Sequence, residues 1–160
     1  MKKKTLMTGL FLLVVCVSIS AVSAIDISYS SSEISDSEGD SITFDNGKLV
    51  IQGIEFAIPD GYKEVDKGKK LGIDSKALNG FKESSDTFTK GNDRITIKVS
   101  YSNTTEGEYT PANNTVEKTI SNQTGWFIED NAGAVFTYIK DKKIVEILAP
   151  DEQTLASIIK

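Results

Sequence analysis

Residues 125–148 read GWFIEDNAGAVFTYIKDKKIVEIL. Three apolar-rich runs, Gly125–Glu129, Ala134–Lys140 and Ile144–Leu148, are separated by Asn131-Ala132-Gly133 and Asp141-Lys142-Lys143. Asn, Asp and Gly suit turns because they tolerate backbone conformations closed to most residues. Strand-length runs joined by such short connections predict an antiparallel meander of three strands. Trp126 and Phe127 are adjacent, so within a strand they point to opposite faces.

Beyond the meander, Asp151 stands where it can cap helical amides, and Leu155, Ile158 and Ile159 fall on one helical face. This C-terminal helix needs a sheet to cover its apolar stripe. On the other side, Asn114–Ile120 pairs a cap residue with Val116 and Ile120 four apart, which predicts a short central helix. The polar stretch before it, from Asn103 and including Pro111, reads as a surface loop. Ile95, Ile97 and Val99 alternate with Thr96, Lys98 and Ser100, the cleanest strand pattern in the chain. Ser85–Thr89 is a second strand, joined to it by the turn Lys90–Asp93.

Further upstream, Ile42–Asp45 and Lys48–Ile51 flank Asn46-Gly47, a strong hairpin signal because both turn positions need positive φ. Ile54, Phe56 and Ile58 alternate along one more strand, ended by Pro59-Asp60-Gly61. Residues 62–83 read as a loop with one helical turn at Lys76-Ala77-Leu78. The expected fold is α+β over residues 42–160: mainly antiparallel sheet, with the central and C-terminal helices packed on one face.

The N-terminus carries a different message. Lys2, Lys3 and Lys4 precede a nearly unbroken apolar run from Leu6 to Val17, and Val22-Ser23-Ala24 follows. That is the layout of a secretory signal peptide over residues 1–24, cleaved after Ala24. The expected product is secreted or held at the cell surface. The alternative is an uncleaved membrane anchor, since Leu6–Ala24 is just long enough to span a bilayer. Val15 before Cys16 departs from the small residue that lipid attachment wants. Residues 25–41 read as a flexible spacer: residues 28–41 hold seven serines and four acids, with only Tyr29 and Ile34 apolar.

Composition narrows the chemistry. The net charge of −5 becomes about −8 without the three lysines of the leader. Such a surface repels phosphate backbones, so nucleic acid is not an expected partner. Anionic lipid is disfavoured as well, leaving membrane contact only through an uncleaved leader. The chain has no histidine, and its one cysteine, Cys16, lies in the leader. Ser-His-Asp and Cys-His catalysis and the usual zinc sites are therefore excluded. No cofactor is expected, and catalytic and metal sites are both read as none.

Several residues remain as candidates. Asn103, Asn113 and Asn122 each open an Asn-x-Thr acceptor for N-glycosylation. Trp126 and Tyr138 are candidate binding aromatics, with Tyr101 and Tyr109 near strand ends. Glu55, Glu129, Asp130 and Glu146 are the carboxylates to test for a hydrolase pair. Asp36-Ser37-Glu38-Gly39-Asp40 alternates acids as a calcium loop does, but its glycine is misplaced and the distal glutamate is missing, so it reads as solvated charge. Lys67, Lys69 and Lys70 also read as a solvated cluster.

Phe56-Ala57-Ile58-Pro59-Asp60-Gly61-Tyr62 resembles the F-x-I-P-x-G-Y/W opening of PsbP-like domains. It is similar also to small exported proteins of unknown function from methane-producing archaea. Those carry a lysine-rich leader, this strand, many Asn-x-Thr acceptors, and an ending like Phe136–Lys140 followed by Ile144–Ile147. The resemblance covers Ile54 to Lys160 and implies a sheet flanked by helices. It implies no activity and no catalytic residue. The expected role is thus a non-enzymatic exported domain that binds or supports a cell-envelope protein or glycan. The alternatives are an accessory factor of a membrane complex, as some PsbP-like proteins are, and a small carboxylate-dependent hydrolase.

Overall fold

Turns with two successive positive φ angles match the twist of the strands they join. Four of them set the register here: Asn46-Gly47 (φ 50° and 75°), Gln52-Gly53 (51° and 80°), Ser121-Asn122 (48° and 65°) and Asp141-Lys142 (50° and 62°). The structure, a computed structural model, describes residues 32–35, 40–103 and 110–160. The expected leader and cleavage site, Cys16, Asp36–Gly39 of the acidic run and Tyr109 lie outside the described residues.

Strands β1 (Ser32–Ser35), β2 (Ser41–Asp45), β3 (Lys48–Ile51) and β4 (Ile54–Ala57) form an antiparallel sheet in chain order. A second, eight-stranded sheet contains β5 (Lys63–Glu64), β6 (Lys70–Asp74), β7 (Lys82–Lys90), β8 (Asp93–Tyr101), β9 (Val116–Ile120), β10 (Gln123–Asp130), β11 (Gly133–Lys140) and β12 (Lys143–Ala149). Its order is β5-β7-β8-β12-β11-β10-β9, with β6 sharing the β7 edge. The meander thus has four strands, and its last strand lies beside β8. Every neighbouring pair is antiparallel, so β8 and β9 run parallel, with β12, β11 and β10 between them.

One face of the larger sheet packs on the smaller sheet. Phe88, Ile95, Ile97, Phe136 and Ile147 are fully buried there, as are Ile42, Leu49, Ile51 and Phe56 opposite them. Phe44 and Phe88 meet edge-to-face across the layers, 4.8 Å between centroids. The single helix among the described residues, α1 (Glu152–Ile158), adds Leu155 and Ile158 to this core. Asp151 Oδ1 accepts the Thr154 N–H at 2.7 Å, and Ile159 bridges to Phe56 at the edge of β4. Helix α1 is too short to stand alone in water, so its stability comes from this docking. Ile158→Ala is expected to cost about 2–5 kcal/mol in a denaturant melt, and Lys160→Ala almost nothing. Equal losses would show that the tail is not docked.

The mainly antiparallel α+β architecture and the C-terminal helix match the sequence expectation. Four local readings are corrected. Val116–Ile120 is strand β9, not a helix, and pairs with β10 from Ile120↔Gln123 to Val116↔Phe127. The stretch 62–83 contains β5 and β6, and Lys76–Leu78 is a bend in which Ser75 Oγ accepts the Leu78 N–H at 3.0 Å. Ser32–Ser35, inside the serine-rich stretch read as a spacer, pairs with β2. Asp40, from the same stretch, is buried.

Candidate functional site

The second face of the larger sheet has a different character. Cross-strand register aligns Lys98, Glu146, Thr137 and Trp126 in one row and Thr96, Leu148, Val135 and Ile128 in the next. Toward the end of β8 this face is closed, with Ser100, Thr137 and Ile144 buried. Toward the start of β8 it opens into a groove of about 580 Å³. Leu148, Val135 and Thr96 lie in the second row, while Lys70, Ile73, Glu83 and Ser85 line the groove from β6 and β7.

Charge in the groove is unevenly compensated. Lys98 Nζ pairs with Glu146 Oε1 at 2.9 Å, and Glu83 Oε1 accepts the Ser75 hydroxyl at 2.5 Å. Lys70 and Arg94 have no carboxylate partner among the described residues. Two cations therefore stand beside Ile73, Val135 and Leu148, and Ile73 is 45% exposed. Such a surface suits an elongated ligand with an apolar flank and an anionic group. A smaller hollow of about 270 Å³ lies between Pro59, Tyr62 and helix α1. Its cation is already engaged: Lys90 Nζ donates to the Asp60 carbonyl at 3.0 Å.

A buried ion cluster sits at the β7 edge. Asp86 is fully buried on the core side of β7, where Oδ1 accepts the Thr87 N–H at 2.8 Å. Lys69 Nζ lies 3.5 Å from Asp86 Oδ2 and also pairs with Glu64. Burial pushes the Asp86 carboxyl up from 3.8 to about 6, against the pull of Lys69. Lys69 is thus not solvated as the Lys67/Lys69/Lys70 reading expected. Its charge is drawn inward because a buried carboxylate without a cation is far more costly than a buried pair. The sequence signal was weak: Asp86 occupies a core-facing position between Ser84 and Phe88, where an acid is out of place.

The residues singled out in the sequence separate clearly. Trp126 is half-buried on the groove side, and Phe127 points into the core, as their adjacency required. Tyr138 is 1% exposed and stacks on Phe136 at 5.4 Å, so it is a core residue rather than a binding aromatic. Burial drives its hydroxyl far above the ordinary phenol range. Tyr101 is also buried, with its hydroxyl 3.3 Å from Ser84 Oγ. Of the four carboxylates, Glu55 pairs with Lys48 at 2.5 Å and Glu146 with Lys98, while Glu129 and Asp130 are exposed near the end of β10. They sit on three strands without forming a pair. Among the described residues no cluster of three or more acids could hold a metal ion. Asn103, Asn113 and Asn122 are all exposed.

No family model, curated protein or solved structure matches the chain. The groove therefore has to be read from its own residues. Lys70 and Arg94 come from different strands, brought to one place by the pairing of β6 and β8 on either side of β7.

Proposed function

We propose that this chain is an exported, non-enzymatic binding domain whose groove takes a protein segment from the cell envelope. That segment carries an acidic side chain beside aliphatic ones. The observation that carries this reading is a groove whose three cations outnumber its two carboxylates, with Lys70 and Arg94 in no ion pair, against the apolar strip of Ile73, Val135 and Leu148. In a chain of net charge −5, a local cationic strip discriminates against most of the molecule's own surface and favours an acidic partner. Export rests on the Lys-rich leader and its small-residue cleavage site. Both groove carboxylates are engaged, which favours binding over hydrolysis.

The test is retention of envelope proteins on the tagged full mature chain, compared with a Lys70→Glu/Arg94→Glu variant. Reversing the two charges is expected to weaken the captured partner roughly tenfold or more, about 1.4 kcal/mol per factor of ten. The unfolding midpoint should stay unchanged, because both side chains lie outside the core. Capture that is equal for the two proteins, and insensitive to salt, would overturn the reading. Membership of the captured protein in a membrane complex would single out the accessory-factor version suggested by the PsbP-like resemblance.

A further inference from the structure

We infer that the exposed edge strand β9 is guarded by N-linked glycans on Asn113 and Asn122. Among the described residues strand β9 pairs only with β10, so its outer backbone groups have no strand partner there. Such an edge is a template for pairing with another chain unless something blocks it. At the opposite end of this sheet the short strands β5 and β6 lie along β7, and in the smaller sheet Ile159 bridges to β4. At β9, Val116 is 58% exposed, more than any other large apolar residue described. Of the strand's two charges, Glu117 is exposed on the groove face, away from Val116, and Lys118 is drawn inward. Lys118 Nζ donates to Glu152 Oε2 at 2.6 Å and lies 4.4 Å from the Phe127 ring centroid, so its charge turns across the sheet instead of outward.

The two acceptors bracket this strand. Asn113-Asn114-Thr115 ends immediately before Val116, and Asn122-Gln123-Thr124 begins in the turn immediately after Ile120. Both asparagines are exposed, and neither side chain is engaged by a described residue. Asn122 has φ 65°, a conformation asparagine tolerates better than other non-glycine residues, so a sugar there needs no backbone change. Transfer to a two-residue turn precedes folding of the hairpin, while the acceptor is still extended. In that step the Asn Nδ2 bonds to C1 of a lipid-phosphate-linked oligosaccharide as the C1–O bond to phosphate breaks. The lipid phosphate leaves with the electron pair, the amide proton passes to a base, and nothing is oxidised or reduced. A bulky, solvated substituent at each end of β9 then denies a second chain the alignment that edge pairing requires.

The experiment uses the full chain recovered from its own source. Peptide mass mapping is expected to show a glycan adduct on both Asn113 and Asn122, and unmodified asparagine at either site overturns the inference. An Asn113→Gln/Asn122→Gln variant made in the same host is expected to associate, reaching about twice the monomer mass or more by light scattering. Adding Val116→Lys to that variant is expected to restore the monomer, because a charge then replaces the exposed apolar side chain on the strand's core-side face. A monomeric double variant, or association that Val116→Lys does not reverse, overturns the guarding role. None of these outcomes depends on the groove.

Discussion

Phe88→Ala is expected to destabilise the domain by about 3–5 kcal/mol, the range for deleting a buried aromatic ring. Phe88 is fully buried at the point where the two sheets meet and contacts Phe44 edge-to-face. Truncation removes the ring's own burial and the aromatic pair, and it leaves a cavity between layers that are each held by their own hydrogen bonds. Rigid sheets collapse onto a void less readily than a loop does, which places the loss toward the upper end. Since domains of this kind hold only about 5–15 kcal/mol in total, the variant should approach half-unfolded under mild denaturant. A urea melt of the variant against the parent measures it. A loss below about 1 kcal/mol would mean that the sheets do not share one core.

Lys69→Met is expected to cost about 3–5 kcal/mol at pH 7.5, the range for removing one partner of a buried ion pair. Glu64 and the fully buried Asp86 would be left facing each other without their cation. The sign of the pH dependence follows from Asp86, whose carboxyl is raised from 3.8 to about 6 chiefly by burial. A raised carboxyl binds its proton more tightly in the folded state. Its contribution to stability is full below about pH 4 and is lost as pH rises through 6. Acidification from pH 7.5 to 5 should therefore stabilise the parent through this group by on the order of 1–3 kcal/mol. In Lys69→Met the gain should be larger, because the opposing attraction is gone, so the deficit shrinks at pH 5. Asp86→Asn should remove this component. Urea melts at the two pH values decide the matter, and an unchanged Lys69→Met deficit would show that the cluster is not coupled to folding.

The same residues show where local reading stops. Asn46-Gly47 announced its hairpin, and Ile95, Ile97 and Val99 their strand, because turn chemistry and period-2 alternation are local properties. Asp151 and the stripe of Leu155, Ile158 and Ile159 located helix α1 for the same reason. The error at Val116–Ile120 is equally physical. A four-residue spacing puts two side chains on one face of a helix and also, being even, on one face of a strand. The β-branched Val116, Thr119 and Ile120 and the Ser121-Asn122 turn were the signals that favoured the strand.

By itself, the amino-acid sequence determined the absence of histidine and of any cysteine other than Cys16, the three Asn-x-Thr acceptors, and most strands with the turns between them. Those properties depend on a residue and its near neighbours along the chain. Only the tertiary structure decided that Tyr138 is core, that Lys69 turns inward to Asp86, and that Lys70, Arg94, Val135 and Leu148 share one groove. Each of these depends on which strands lie side by side. In this sheet β8 pairs with β12 across the whole β9–β11 meander, a choice made by burial of a common face rather than by any local turn.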